Sequence, residues 1–594
     1  MSDNTELELQ KQKEMEEKMK AYFEAFQKSL EELPLPNIAK EGAMEEVMLP
    51  AGDGVKLRTW LFLPKGLEGP YPTVAVRCCY ENNMEMLKLK AKAFNKKGFA
   101  FAIQYCRGTC GSEGEWVPNV NERADGLSFM NFLENDERVK NIGYWGDSYL
   151  ALTGWCMADA VPSKVKTMYL GVYGCFRHVS AYKDGHFRQD ILTSWAMENA
   201  GVKIDADYME SAAFRPQAQV DEKLWKVDLP WYRDWITHTD ADDPYWQQGF
   251  WGQLQEIPSK VRIPVYVREG WYDHHLGSAL CTWNALSDDI KKKSVLEIGP
   301  WNHFYMPCIM HQETSNLRND SVESPLMWFY KILCLEDESD GQMRLYRIGE
   351  DKWDEGQDLL PKNIDSQISD FDNSDSQSSK SSNSKSKKMF LAAGMNDRLL
   401  NENNENGKVT YTYDPDKPVI SYGSESTLHM MEQNGSLLQK GPDYREDVIS
   451  FVSDVLTEDI HVMGEISVTL SVSSDAPDTA FFAKVMEMFA DGETVNIRGS
   501  ITSLGYRNNS PHRIKYEADT IEKITIKMWA IDWQFKKGSR IRLDITSSDF
   551  PQYSVHTNNE GVWALQESSK VAHQTIYTGF EHESYIELPI AYDA

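Results

Sequence analysis

The chain has 594 residues, and 91 acidic against 62 basic side chains leave it a formal charge of −29 at neutral pH. A field of that sign repels nucleic acid and anionic membrane, so neither is expected as a partner, and no run of about 18 apolar residues marks a membrane-spanning helix. Nine cysteines without a C-x-x-C pair or zinc-ligand spacing read as free thiols of a reducing, cytoplasmic compartment, with no metal or other cofactor.

At this length more than one hydrophobic core is expected. The opening residues Met1-Ser2-Asp3-Asn4 lack the basic and then apolar order of a signal peptide. From Glu6 to about Leu33, Met15, Met19, Tyr22, Phe23, Phe26 and Leu30 recur at helical spacing, which predicts an amphipathic helix within an N-terminal extension over 1–45. A single apolar stripe ordinarily packs on its own chain; pairing with a second copy, as a homo-oligomer, is the alternative. Val47 to Pro64 alternates about Gly52-Asp53-Gly54, a hairpin that leads into an α/β domain spanning 46–162 and 261–341.

The most informative stretch is Asn141-Ile142-Gly143-Tyr144-Trp145-Gly146-Asp147-Ser148-Tyr149-Leu150-Ala151. An apolar run ends in a serine two residues after a glycine, and a helix-like segment follows at once, which is how a nucleophile elbow reads. Such a turn exposes the hydroxyl of Ser148 and leaves the Tyr149 backbone N–H facing a developing oxyanion. The strict G-x-S-x-G spacing is broken at Leu150, with Ala151 small one position later. A serine N-cap of an ordinary helix is the plainer reading of this stretch alone.

Residues 163–260 are helical and strongly aromatic, with Pro230-Trp231-Tyr232-Arg233-Asp234-Trp235 and Asp243-Pro244-Tyr245-Trp246, and predict a cap that walls off the serine while many of its aromatics form its own core. Ile263 to Val267 then reads as a buried strand that delivers Asp273, and Ser294 to Gly299 as another that delivers His303. In open α/β sheets the strands' carboxyl ends form the functional edge, so Ser148, Asp273 and His303 converge there if the sheet is doubly wound. Their chain order, serine then acid then histidine, is that of an α/β hydrolase.

After a helix near 324–335 and a strand at 343–347, residues 364–388 are polar enough to predict a disordered surface insertion. Short alternating strands then run to the C-terminus, including Ile460–Gly464, Ile466–Val472, Ile524–Ile526 and Arg540–Ile545. This predicts an all-β sandwich domain over 342–594.

The residue types dictate the chemistry. Serine is a weak nucleophile at neutral pH, so His303 must take its proton while Asp273 holds the imidazole tautomer and stabilises the imidazolium. An acyl-enzyme follows, which water activated by His303 releases. Taken singly, His303 reads as a structural histidine; the ordered trio points to catalysis. His274 and His275 are rival bases, but as neighbours of the acid they are expected to line the pocket.

Gly146-Asp147-Ser148-Tyr149-Leu150-Ala151, Gly270-Trp271-Tyr272-Asp273 and Gly299-Pro300-Trp301-Asn302-His303 together resemble the elbow, acid and base segments of the CocE/NonD hydrolases, the cocaine-esterase and X-Pro dipeptidyl-peptidase-like family. Val76-Arg77-Cys78-Cys79-Tyr80 and Arg107-Gly108-Thr109-Cys110-Gly111-Ser112-Glu113-Gly114-Glu115-Trp116 resemble two further segments of it. The resemblance implies an α/β hydrolase with a helical cap and a C-terminal jelly roll, and an oxyanion hole made of the Tyr80 phenol and the Tyr149 N–H. It also exposes departures. Tyr105 stands where the family carries an aspartate before the R-G loop, and His275 and Leu276 stand where α-amino acid ester hydrolases carry ammonium-binding carboxylates. His275, Trp271 and Asp184 are expected in the substrate pocket, with Asp184 or Glu269 available to a cation. The expected activity is cleavage of a small-molecule carboxylic ester, extending to amides; X-Pro dipeptide or acylase chemistry on the same triad is the alternative, and a non-catalytic binding scaffold is a third reading.

Overall fold

The computed structural model describes residues 24, 26–312, 314–317, 322–360, 385–394, 397–423, 425 and 433–591. Helix α1, residues 26–31, buries Phe26 and Leu30 against Trp60, Phe62 and Phe94 of its own chain. Met15, Met19, Tyr22 and Phe23 lie outside the described residues.

Ten strands form the first sheet. The antiparallel hairpin β1 (Met44–Pro50) and β2 (Lys56–Phe62) leads in, as the alternation around Gly52-Asp53-Gly54 predicts. Then come β3 (Tyr71–Cys78), helix α2 (Met84–Lys96), β4 (Ala100–Tyr105), α3 (Glu122–Asn135), β5 (Val139–Asp147), α4 (Tyr149–Trp155) and β6 (Val165–Gly171). The strands read as near-continuous apolar runs because helices cover both faces of a parallel sheet. On one side Ile142, Tyr144, Leu170, Val267 and Ile298 are buried, and on the other Val74, Val76, Trp145 and Tyr169.

The chain then leaves the sheet. Helix α5 (Arg177–Ala181), a two-residue hairpin of β7 (Tyr182–Lys183) and β8 (His186–Phe187), and helices α6 (Gln189–Glu198), α7 (Tyr208–Ala213), α8 (Pro230–Thr237), α9 (Pro244–Gln247) and α10 (Gly249–Glu256) form the cap. It begins later than the expected residue 163, because β6 pairs in parallel with both β5 and β9 (Val265–Tyr272) and is a central strand. Helix α11 (Leu276–Ala285), β10 (Val295–Asn302), β11 (Gln342–Arg347) and β12 (Lys352–Gly356) complete the order β1-β2-β4-β3-β5-β6-β9-β10-β11-β12. The expected boundary at residue 342 is thereby displaced: β11 hydrogen-bonds β10 in parallel and β12 closes the sheet's edge, a partnership that a local pattern does not encode.

Thirteen further strands, from β13 (Lys385–Ala392) to β25 (Tyr585–Ile590), form the C-terminal all-β module. Of the insertion expected over 364–388, residues 364–384 lie outside the described residues, while 385–388 pair with β25 and are strand rather than loop. The two modules share one continuous core, which includes Trp271, Tyr346, Val462 and Trp533. No helix among the described residues is long and apolar enough to cross a membrane.

Candidate active site

Strand β5 runs straight into helix α4, and Ser148 at the corner adopts φ 57° and ψ −128°. That conformation is strained for a residue with a side chain and is held by its surroundings: the Ser148 N–H donates to Gly171 O at 3.0 Å on the neighbouring strand. Gly146 is needed because helix and strand pass so close; a Cβ there would lie 2.1 Å from the Leu150 carbonyl oxygen.

His303, on the loop behind β10, faces the hydroxyl, with Nε2 2.9 Å from Ser148 Oγ. Its Nδ1 lies 2.6 Å from Asp273 Oδ2, just past β9. The second oxygen, Asp273 Oδ1, accepts the His275 backbone N–H at 2.5 Å, so the fully buried carboxylate has a fixed orientation. The three side chains expected to converge are thus in hydrogen-bond sequence. Close by, Val172 holds φ 46°, an uncommon backbone for a β-branched side chain, where its N–H reaches Arg268 O at 2.8 Å.

Tyr149 opens helix α4, so its backbone N–H is one of the first-turn donors that the helix itself leaves unpaired. Its phenol is tied into the protein, donating to Glu122 Oε1 at 2.9 Å and accepting from the Asn119 N–H at 2.8 Å. Glu122 in turn pairs with the buried Arg77 at 2.8 Å, and Asp125 lies 3.7 Å from the same guanidinium. Tyr80 lines the same cavity, and its hydroxyl accepts the Trp195 indole N–H at 3.0 Å. Burial raises the Tyr80 phenol well above its ordinary range, so it stays a proton donor.

The His274 and His275 rings lie 4.1 Å apart between centroids, tilted by 46°, with His274 4.6 Å from His303. Burial, then the neighbouring imidazoles and arginines, drives both well below the usual imidazole range, and they stand neutral beside the triad. Glu269 is buried below the site; burial first and the Asp273 charge second push its carboxyl well up, so it presents no carboxylate to a cation.

Two expected pocket residues lie elsewhere. Trp271 is wholly buried and donates its indole N–H to Tyr346 O at 2.7 Å, because β9 turns that side chain into the core. Asp184 sits at the β7–β8 turn with φ 45°, paired with Lys183 at 3.1 Å and outside the cavity. His275 does line it. Although Tyr105 stands in place of an aspartate two residues before it, Arg107 pairs with Asp125 at 2.8 Å and Asp53 at 2.7 Å, both contributed by other segments.

The cavity over Ser148 measures about 2000 Å³ and is walled by cap aromatics such as Trp195, Trp231, Trp235, Tyr245 and Trp251. Trp195 and Arg177 carry no signal in the sequence; neither falls in a motif, and only the folded cap brings them over the serine. Metal-ligating atoms converge in two places among the described residues. At Asp273, His274 and His303, Asp273 and His303 are already hydrogen-bonded to each other within the triad, and His274 stands beside them. At Asp354, His461 and Asp532 the Arg347 guanidinium already supplies the cation, 2.7 Å from Asp354.

A strand–elbow–helix on a mostly parallel sheet, with histidine and acid delivered by later strands, defines an α/β hydrolase. Residues 53–305 match the family model of X-Pro dipeptidyl-peptidase (S15 family), and residues 356–587 that of the X-Pro dipeptidyl-peptidase C-terminal non-catalytic domain. The chain is a serine hydrolase that carries both of these domains and is similar to the CocE/NonD and X-Pro dipeptidyl-peptidase-like enzymes. It is 28% identical over 581 residues to the cocaine esterase of Rhodococcus sp. (strain MB1 Bresler), covering 92% of this chain and 98% of that one. Its fold is similar to that of an α-amino acid ester hydrolase (TM-score 0.77, 20% identity, 93% of this chain and 97% of the other). It is also similar to that of a CocE/NonD family hydrolase from Staphylococcus aureus (TM-score 0.61, 16% identity, 92% and 94%).

Proposed function

We propose that this protein cleaves carboxylic esters through an acyl-enzyme on Ser148. The observation that carries the reading is His303, hydrogen-bonded at once to Ser148 Oγ and Asp273 Oδ2. As the hydroxyl attacks the carbonyl carbon, Nε2 of His303 takes its proton, and Asp273 stabilises the imidazolium through Nδ1–H. The oxyanion that forms is held by the Tyr149 backbone N–H and the Tyr80 hydroxyl; such a donor is worth about 2.7–4 kcal/mol in the transition state. The imidazolium returns its proton to the alcohol oxygen as the C–O bond breaks, and water activated by the same nitrogen then releases the acid.

Amide cleavage of the X-Pro dipeptidyl-peptidase kind is the second reading, supported by the description of the family model. Ester cleavage is preferred for two reasons. The cocaine esterase similarity runs the length of both chains, and His275 and Leu276 occupy the positions where an ammonium-binding carboxylate pair would stand. Nine cysteines in no disulfide, seven of them buried, support residence in a reducing, cytoplasmic compartment.

Intact-mass labelling with a fluorophosphonate tests the reading. One adduct on wild type and none on Ser148→Ala, with aryl esters turned over faster than X-Pro anilides, is the expected result. Absence of an adduct on folded wild type overturns it in favour of a binding scaffold, and faster X-Pro anilide release favours the peptidase.

A further inference from the structure

Six arginines are buried among the described residues, and five of them face a carboxylate: Arg77 with Glu122, Arg188 and Arg498 with Glu425, Arg268 with Glu297, and Arg542 with Asp544. Arg177 is the sixth. It is 6% exposed, its Nε has no hydrogen-bond partner, and no carboxylate among the described residues lies within 4.0 Å. Its guanidinium rests on aromatic faces instead, 4.8 Å from the Trp235 ring centroid and 5.8 Å from that of Trp251. A guanidinium taken out of water without an anion is costly, and cation–π contact offsets only part of that.

Arg177 lines the cavity that holds Ser148 and His303, and its charge is among the causes that hold His274 and His275 neutral. Its position is rigid. The two preceding backbone N–H groups are fixed to helix α11, Phe176 to Ser278 Oγ at 3.0 Å and Cys175 to Thr282 Oγ1 at 2.6 Å. Gly174 is pressed against the Ser278 backbone, where a Cβ would come within 2.2 Å. A cation set on so stiff a mount loses little freedom on meeting an anion.

From this we infer that Arg177 is a substrate-binding residue that takes a free carboxylate. The substrate is then an ester or amide whose acid or alcohol half ends in a carboxylate, with its apolar span against the cap tryptophans. The planar fork suits bidentate recognition of that group. The inference builds on the proposed hydrolase chemistry, but its ligand contact exists without turnover.

Two measurements separate the two claims. Monoethyl adipate is compared with its neutral primary amide as substrate for wild type, Arg177→Gln and Arg177→Lys. Hydrocinnamate and hydrocinnamide are titrated into Ser148→Ala, with and without Arg177→Gln, and followed by tryptophan fluorescence. Wild type is expected to favour the monoacid in kcat/KM by about tenfold to hundredfold, the range of a charged hydrogen-bonded pair. Arg177→Gln should abolish that ratio and Arg177→Lys should retain part of it; hydrocinnamate should bind in an Arg177-dependent way and hydrocinnamide should not. Equal use of the two esters by wild type, or equal binding of the acid and its amide, overturns the inference without touching ester hydrolysis; both need no Arg177 variant to fold. Arg177-dependent carboxylate binding with no ester cleaved would sustain it while the hydrolase reading falls.

Discussion

The Trp195 indole N–H donates to the Tyr80 hydroxyl oxygen across 3.0 Å, joining cap helix α6 to the residue proposed to hold the oxyanion. Because the phenol oxygen already accepts, its own hydrogen remains to be given to the substrate, and a donor whose oxygen accepts elsewhere is polarised into a stronger one. Tyr80→Phe is expected to lower kcat about a hundredfold to a thousandfold. Trp195→Phe should cost about three- to tenfold, the worth of one modest hydrogen bond. In the double variant the Trp195 effect should vanish, since it acts through the phenol; additive losses would show that Trp195 serves the pocket on its own account.

Gly146→Ala is expected to destroy the elbow. The added methyl meets backbone atoms of Leu150 and Ala151 at 2.1 to 2.7 Å, and backbone has no rotamer with which to yield. Overpacking of this kind costs about 1–3 kcal/mol or more. Fluorophosphonate labelling should be lost together with a lowered melting temperature, and a variant labelled at the wild-type rate would contradict the account.

Glu122 ties the Arg77 charge to the Tyr149 hydroxyl inside the core. Removing one member of a buried pair costs about 3–5 kcal/mol when the charge left behind has no other partner. Asp125, 3.7 Å from the same guanidinium, should hold the loss for Glu122→Ala to the lower end of that range. Chemical denaturation measures it, and a change below about 1 kcal/mol, the scale of an exposed pair, would mean that the network is dispensable.

Acid sensitivity should come from histidines held neutral in the fold. Burial pushes His178 down to about 4, His186 to about 3 and His311 to about 4 from an ordinary 6.5. Each is neutral in the fold, so its stabilising share is present above the unfolded value and is lost as pH falls from 6.5 toward the folded value, by up to about 1.4 kcal/mol per pH unit. Asp549, raised to about 6 by burial, titrates in the same window with the opposite sign, so the histidine share is best read by difference. His311 packs between Phe489 and Trp533, 5.5 and 5.3 Å away. His311→Gln should narrow the gap in melting temperature between about pH 7.5 and about pH 5; an unchanged gap would place the acid loss elsewhere.

The elbow, the chain order of Ser148, Asp273 and His303, and the strand runs before each were legible because they are local. An apolar run, a glycine and a polar residue at a strand's end sit within a few positions of one another. Trp271 shows the limit: it stands two residues from Asp273, yet strand alternation turns its side chain into the core beside Tyr346. Strands β6 and β11 show the same limit for boundaries. β11 reads as a strand locally, but which sheet it joins depends on the partner it meets, and residues 165–171, within the stretch expected to be helical cap, become a central strand only by pairing with β5 and β9.

By itself the amino-acid order determined the reaction class that this chain's residues can serve, since proton relay needs particular side chains at particular strand ends. Only the tertiary structure decided which side chains face the serine. Trp195 meets Tyr80, Arg177 meets no carboxylate among the described residues, and Asp184 turns away, because the cap's helices pack by shape against α11 and the sheet. Such packing depends on contacts between segments far apart in the chain, which no spacing along it records.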